Sequence, residues 1–181
     1  MDRERALDFV HKHQHTTFYQ PVVFEPGLIE IRGKWNKATK ELASMLSSEV
    51  REKSVLDLGC NIGFFLHEFA RHAIRLTGID HDPAIIQIAR EIESILSDNV
   101  ELAVADMQTY ASSGYDIVLM LNVLHAIPDP LQCLEKYLSL CNLVIVEQEI
   151  GYLDLSIYNI KSRMLSPRAF KHREILYLRG E

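Results

Sequence analysis

"VLDLGCNIGFF", Val55 to Phe65, decides how the chain is read. The apolar run Val55-Leu56-Asp57-Leu58 stops at Gly59, a short loop follows, and an apolar helical pattern begins at Phe64. A strand that turns through a glycine-bearing loop into a helix opens a βαβ unit, and such units bind ligands at that loop. A dinucleotide loop needs G-x-G-x-x-G, whose second glycine admits a pyrophosphate and whose third lets the helix pack closely. Here the line is Gly59-Cys60-Asn61-Ile62-Gly63-Phe64, which breaks that spacing and disfavours nicotinamide and flavin dinucleotides. No Gly-Lys-Ser/Thr follows, so a triphosphate loop is disfavoured as well. A middle position at positive φ normally takes glycine, and asparagine is among the few other residues that tolerate it. Asn61 is therefore expected to keep a tight turn around a ligand that lacks a diphosphate.

Outward from this loop, short β-rich apolar runs alternate with helical patterns. Strands are expected at 54–59, 75–80, 100–106, 115–121 and 142–148, with helices at about 64–73, 83–97 and 130–140. Asp82 and Pro83 supply a cap and a first turn for the second of these helices. The alternation predicts an α/β fold, a Rossmann-like doubly wound and mostly parallel sheet in a three-layer αβα arrangement. Right-handed crossovers bring all the strand ends to one edge, so function is sought just after each strand. Residues 1–181 are read as a single domain: a preface over 1–53, a cofactor-binding core over 54–150 and a shortened C-terminal region over 151–181. In the preface, two extended runs flank a Pro26-Gly27 turn ahead of a helix from about Asn36 to Ser47.

Composition fits a water-soluble globule: 181 residues, 48% hydrophobic, 24% charged, formal net charge -6. Cys60, Cys133 and Cys141 show no framework spacing and read as reduced, buried thiols. The beginning lacks the pattern of a signal peptide and no apolar run spans a bilayer, so no membrane association and a cytoplasmic location are expected. His11, His13 and His15 alternate in "HKHQH", yet no carboxylate or cysteine partner stands beside them, and the commoner reading is a polar stretch before the fold; no metal is expected. The segment from Lys161 is rich in base, with Lys161, Arg163, Arg168, Lys171, Arg173 and Arg179 against Glu174 and Glu181. It either meets an anionic substrate or is a solvated surface.

Three acids follow three consecutive strands or lie within them. Asp80 ends the second strand, where a carboxylate accepts hydrogen bonds from a ribose diol. Asp106, after the third, offers an acceptor to an exocyclic amine, and Met107 a surface for a flat ring. Singly, each acid reads equally well as a cap or a solvated loop residue; in register they weaken that reading.

With "VLDLGCNIGFF", "LTGIDHDP", "VADM" and "YDIVLMLNVLHAIPDPLQCL", the chain resembles the class I S-adenosylmethionine-dependent methyltransferases over roughly residues 54–148. The resemblance implies S-adenosyl-L-methionine as cofactor. It assigns Asp57, Gly59 and Gly63 to the methionine portion, Asp80 to the ribose and Asp106 to adenine. Cys60, Asn61, His81, Met107 and Asn122 join them as cofactor-binding positions in the same loops. Asn61 stands where most members have glycine. "NVLHAIPDP" resembles the segment passing beneath the sulfonium, and His125 within it is the candidate catalytic base or substrate contact, the alternative being a bond to the loop backbone. The preface "FYQPVVFEPGLIEIRGKWNKATKEL" resembles, more faintly, the leading segment of tRNA wobble-uridine carboxymethyltransferases. That likeness would put Lys34, beside Trp35, on the cofactor carboxyl group; the alternative is that Trp35 only packs the first helix.

The resemblance implies methyl transfer to a small-molecule or RNA acceptor. A non-catalytic S-adenosylmethionine-binding module working with a partner protein is the alternative, motivated by the end of the chain. There "YLDLSIYNIKSRML" is expected to be a helix and "EILYLRG" (174–180) the one strand. The sheet would then be a strand short, and its bare edge would favour a homodimer or a partner protein.

Overall fold

The computed structural model describes residues 1–110, 113–167 and 172–180. Arg168, Lys171 and Glu181 of the basic segment lie outside the described residues. Among the described residues nine strands and five helices follow in the order α1 (Arg3–His13), β1 (Val22–Glu25), β2 (Ile29–Ile31), α2 (Asn36–Leu46), β3 (Ser54–Leu58), α3 (Phe64–Phe69), β4 (Arg75–Asp80), α4 (Pro83–Leu96), β5 (Val100–Val104), β6 (Ile117–Leu121), α5 (Pro130–Leu138), β7 (Leu143–Glu149), β8 (Ile160–Leu165) and β9 (Arg173–Arg179). A short 3-10 turn, Leu124–Ala126, stands between β6 and α5.

Seven strands form one sheet in the order β5-β4-β3-β6-β7-β9-β8, in which β9 alone runs against its neighbours. Alternation within each strand splits the core between the two faces. Val55, Leu119 and Ile145 meet α2, α3 and α4 through Leu46, Phe65 and Ile86. Leu56, Val118 and Val144 meet α5 through Leu134 and Tyr137. The three-layer expectation is met, and so is the signposted start of α4: Asp82 accepts the N–H of Ala84 at 2.8 Å, with Pro83 in the first turn.

Two expectations are corrected. The sheet is not a strand short, because the segment expected to be a helix turns at its start and supplies β8 at its end. Asp154 accepts the N–H of Ser156 at 3.0 Å, a side-chain turn that competes with helix. Leu155 is buried against the sheet while the pairing of Ile160–Leu165 with β9 completes it.

The preface, in turn, opens with a helix where a polar stretch was expected. Asp2 caps α1 by accepting the N–H of Arg5 at 3.2 Å, and Ala6 and Phe9 of that helix are buried. They pack with Phe18, Val22, Phe24 and Ile29 against Ile92 and Ile95 of α4. The β1-β2 hairpin forms around Pro26-Gly27 as expected. Ile62, from the glycine loop, is buried in this same cluster, so the preface braces the loop it precedes.

Candidate functional site

Strand order reverses between β3 and β6, which are paired neighbours although β4 and β5 lie on the other side of β3. The loops after these two strands therefore diverge and leave a crevice at the sheet edge. On the β3 side, Gly59, Asn61 and Gly63 have φ of +70°, +54° and +82°. Three left-handed residues within five turn the chain sharply into α3, and Asn61 takes the conformation expected of it. The N–H groups of Gly59 and Cys60 both donate to the carbonyl of Ile79, at 2.8 and 2.9 Å. Asn61 N–H donates to Asp80 Oδ2 at 3.0 Å.

Asp80 is thereby held from two sides, since its Oδ1 accepts the N–H of Asp82 at 3.1 Å. The carboxylate is 9% exposed, yet it lines a cavity of about 180 Å³ together with Gly59, His81, Asp106 and Met107. Asp106 is fixed by the N–H of Gln108, donated to its Oδ1 at 2.8 Å, and Met107 by the Tyr137 hydroxyl donating to its carbonyl at 2.8 Å. The cavity floor is bare because residue 59 is glycine. A Cβ there would stand 2.5 Å from Val123 Cγ1 and 3.5 Å from Met107 Cε. Five of the predicted residues thus line the wall of one cavity, among them a pre-oriented carboxylate, a second acid and a thioether.

Two others lie beneath that wall. Asp57 is buried on β3. The side chain of Cys60 is fully buried, and a Cβ on Gly78 would meet its sulfur at 2.8 Å. Burial first, then the charges of Asp57 and Asp80, push its thiol pKa well above the ordinary value. With its N–H engaged by Ile79, Cys60 supports the loop by packing.

A second cavity, of about 350 Å³, opens beside β6 and β7 and is lined by Asn122, His125, Glu147, Gln148, Glu149 and Arg173, among others. Asn122 belongs to this cavity instead of the first. It has φ +63°, and its N–H donates to the Glu147 carbonyl at 3.0 Å. Its Nδ2 donates to the Tyr19 hydroxyl at 2.8 Å, and its Oδ1 accepts from Arg173 Nη1. Arg173 Nη2 lies 3.5 Å from Glu149 Oε1. Glu147 accepts the hydroxyl of Ser166. His125 is exposed on the 3-10 turn at the mouth of this cavity.

Sequence reasoning missed Tyr19, Gln20, Gln148 and Arg173. Gln20 accepts the Phe64 N–H at 3.4 Å, so both preface residues touch the site. Arg173 was visible only as one charge in a basic segment. Lys34 is exposed, its N–H donates to the Phe18 carbonyl at 2.9 Å, and its Nζ stands 5.8 Å over the Trp35 ring. It thus sits on the segment that carries Tyr19. Among the described residues one metal-like grouping occurs, His67, Glu93 and Asp98, away from both cavities. His67 Nδ1 is 3.1 Å from Asp98 Oδ2, an ordinary histidine-carboxylate contact. The N-terminal histidines are elsewhere, with His13 packed between Phe9 and Phe18.

Residues 49–160 match a family profile described as a methyltransferase domain. The ubiquinone biosynthesis O-methyltransferase of Saccharophagus degradans is 31% identical over 88 residues, 47% of this chain and 37% of that protein. Its counterpart from Coxiella burnetii is 26% identical over 119 residues, 59% of this chain and 51% of that protein. The chain spans about half, or less, of the length of these relatives. The magnesium protoporphyrin IX methyltransferase of Synechocystis PCC 6803, solved with bound SAM, superimposes with a TM-score of 0.69 at 16% identity, covering 80% of this chain and 79% of that one. That likeness is one of fold.

Proposed function

Because this chain belongs to the methyltransferase-domain family, we propose that it transfers a methyl group from S-adenosyl-L-methionine to a small-molecule acceptor. The observation that carries this is Asp80: a nearly buried carboxylate, fixed by the N–H groups of Asn61 and Asp82, on the wall of an edge cavity that it shares with Asp106 and Met107. The donor set fits the cofactor. Asp80 would take the ribose hydroxyls and His81 would flank them. Asp106 would take the adenine amine, Met107 the ring face, and the Gly59–Gly63 loop over Asp57 the methionine portion. Lys34, on the preface that covers this loop, would reach the cofactor carboxyl group. When bound, the sulfonium supplies an electrophilic methyl group.

The work left to the protein is chiefly orientation, since an in-line displacement needs its reactants held in near-attack geometry. The left-handed turn at Asn122 lines the larger cavity, and the preface reaches it through Tyr19. His125, at the mouth of the larger cavity, takes the proton from an acceptor hydroxyl or amine on an imidazole nitrogen.

A small molecule is favoured over RNA because three basic residues of the C-terminal segment are paired within the fold. Lys161 pairs with Glu49 at 3.1 Å, Arg163 with Glu174 at 3.2 Å and Arg173 with Glu149 at 3.5 Å. The complete seven-stranded sheet speaks against a non-catalytic module. Strand β8 is one of the two edges of the sheet, with Leu165 exposed, and is where a second copy or a partner would pair. A cytoplasmic location accords with three free, buried cysteines. No helix among the described residues is long and apolar enough to cross a membrane.

Calorimetry with S-adenosylmethionine, S-adenosylhomocysteine and NAD tests the reading. Micromolar binding of the first two, lost in Asp80→Ala, is expected; absence of binding by both overturns it. A protein that binds them and methylates nothing in a metabolite extract is the non-catalytic module instead.

A further inference from the structure

The contact between His67 and Asp98 is ordinary by itself; the arrival of a second carboxylate at the same nitrogen is not. Asp98 Oδ2 lies 3.1 Å from His67 Nδ1. Glu93 Oε2 lies 3.6 Å from that same Nδ1 and, although buried, has no hydrogen-bond partner. A histidine nitrogen carries at most one hydrogen, and here it serves Asp98. A buried carboxylate oxygen left without a donor bears a desolvation cost. Charge adds to it, since neither carboxylate pairs with a lysine or arginine among the described residues. Even with the imidazole protonated, the group keeps one negative charge in excess.

A cation in place of the Nδ1 hydrogen would satisfy all three groups at once. Bonds of about 2.0–2.2 Å around a tetrahedral ion set its ligand atoms roughly 3.3–3.6 Å apart. The separations of 3.1 and 3.6 Å at Nδ1 are close to that, and all three ligand atoms lie within 4.8 Å of one another. The group is also open on one side. The side chain of His67 is 9% exposed and forms its floor, whereas those of Glu93 and Asp98 are 20% and 29% exposed and leave an approach from solvent. One imidazole with two carboxylates is a donor set for a first-row divalent ion such as Zn²⁺ and a poor one for Mg²⁺, which prefers oxygen alone.

We propose that His67 Nδ1, Glu93 Oε2 and Asp98 Oδ2 form a structural site for one divalent transition-metal ion of the Zn²⁺ class. The ion clamps α3 to the end of α4: Glu93 is in the last turn of α4 and Asp98 follows it, while His67 is on the helix that the glycine loop opens. The backbone N–H of His67 donates to the Gly63 carbonyl at 3.1 Å, so the clamp also steadies the end of that loop. The proposal is independent of the methyl-transfer reading.

Calorimetry on the full chain, stripped with chelator, tests it with Zn²⁺ alone and Mg²⁺ alone. Zn²⁺ should bind one to one, roughly tenfold or more tightly than Mg²⁺, and raise the unfolding temperature. Glu93→Gln and Asp98→Asn keep shape and remove charge; each should weaken Zn²⁺ binding by roughly tenfold or more, with the metal-free unfolding transition showing that each variant is folded. On histidine-labelled protein, Zn²⁺ should shift the Nδ1 resonance of His67. The N-terminal histidines are the competing site, so a His11→Gln, His15→Gln variant should bind Zn²⁺ as the parent does. The proposal is overturned by a parent that binds no Zn²⁺, by equal affinity for Mg²⁺, by binding that survives both carboxylate variants, or by binding lost in the His11→Gln, His15→Gln variant.

Discussion

The hydroxyl of Tyr19 accepts a 2.8 Å hydrogen bond from Nδ2 of Asn122, a residue 103 positions further along the chain. The same Asn122 side chain accepts from Arg173 on β9. One amide therefore ties the preface, the turn after β6 and the last strand around the larger cavity.

Tyr19→Phe removes this tie while keeping the ring. The loss of one partly solvated hydrogen bond should cost about 0.5–1 kcal/mol of stability. Its larger effect is expected on KM for the acceptor, which should rise several-fold with kcat little changed. Asn122→Ala should be worse, because it also withdraws the Arg173 acceptor and puts a less tolerant residue at φ +63°. Steady-state kinetics beside thermal unfolding checks both; a Tyr19→Phe variant with unchanged KM would show the contact to be idle.

The conformation of Asn61, at φ +54°, makes a second prediction. Asn61→Gly should keep both stability and cofactor affinity, because glycine accepts that region freely. Asn61→Ala should lose about 1 kcal/mol in denaturant unfolding, and Asn61→Val more. Cofactor affinity should fall in the same order, since the Asn61 N–H orients Asp80. If Asn61→Gly binds cofactor much more weakly than the parent, the asparagine side chain itself contacts the ligand.

Gly59→Ala addresses the cavity floor. The added methyl would meet Val123 Cγ1 at 2.5 Å and narrow the approach to Met107. With φ at +70° the substitution is strained as well as crowded. We expect a loss of about 1–3 kcal/mol in stability and of cofactor binding by more than tenfold, read by calorimetry. Gly59→Ala, Val123→Ala should recover part of the binding, because the clash is with that side chain.

The alternation of strands and helices and the wall of the smaller cavity could be read along the chain because each of their signals is local. Asp80, Asp106 and Met107 each follow their own strand, and Asn61 announces its φ by its type. What escaped notice depends on pairing between distant segments. Tyr19 and Gln20 reach the site only because α1 and the β1-β2 hairpin pack on α4, and nothing in "TTFYQP" states that. Residues 160–165 carry helix-like apolar spacing but are held as a strand by β9, so tertiary pairing overrode the local pattern. Arg173 and Gln148 gain meaning from partners on Asn122 and Glu174, which no spacing rule connects to them.

The last prediction concerns acid stability and the joint between β3 and β6. Asp116 Oδ2 accepts both the N–H of Ser54 at 2.9 Å and its hydroxyl at 2.7 Å. First the backbone bond, then the hydroxyl, hold the Asp116 pKa below its ordinary 3.8, against the opposing effect of burial. A carboxylate whose pKa is lowered on folding stabilises fully above the unfolded value, and that stability is lost as pH falls through the folded value. Asp116→Asn should therefore cost about 1 kcal/mol near neutral pH. The gap to the parent should close as the pH drops below about 3.8, where the parent's own carboxylate takes up its proton. Urea unfolding of both proteins from neutral to about pH 2.5 measures it. A gap that stays constant over that range would mean that the Ser54 contact depends on shape and not on charge.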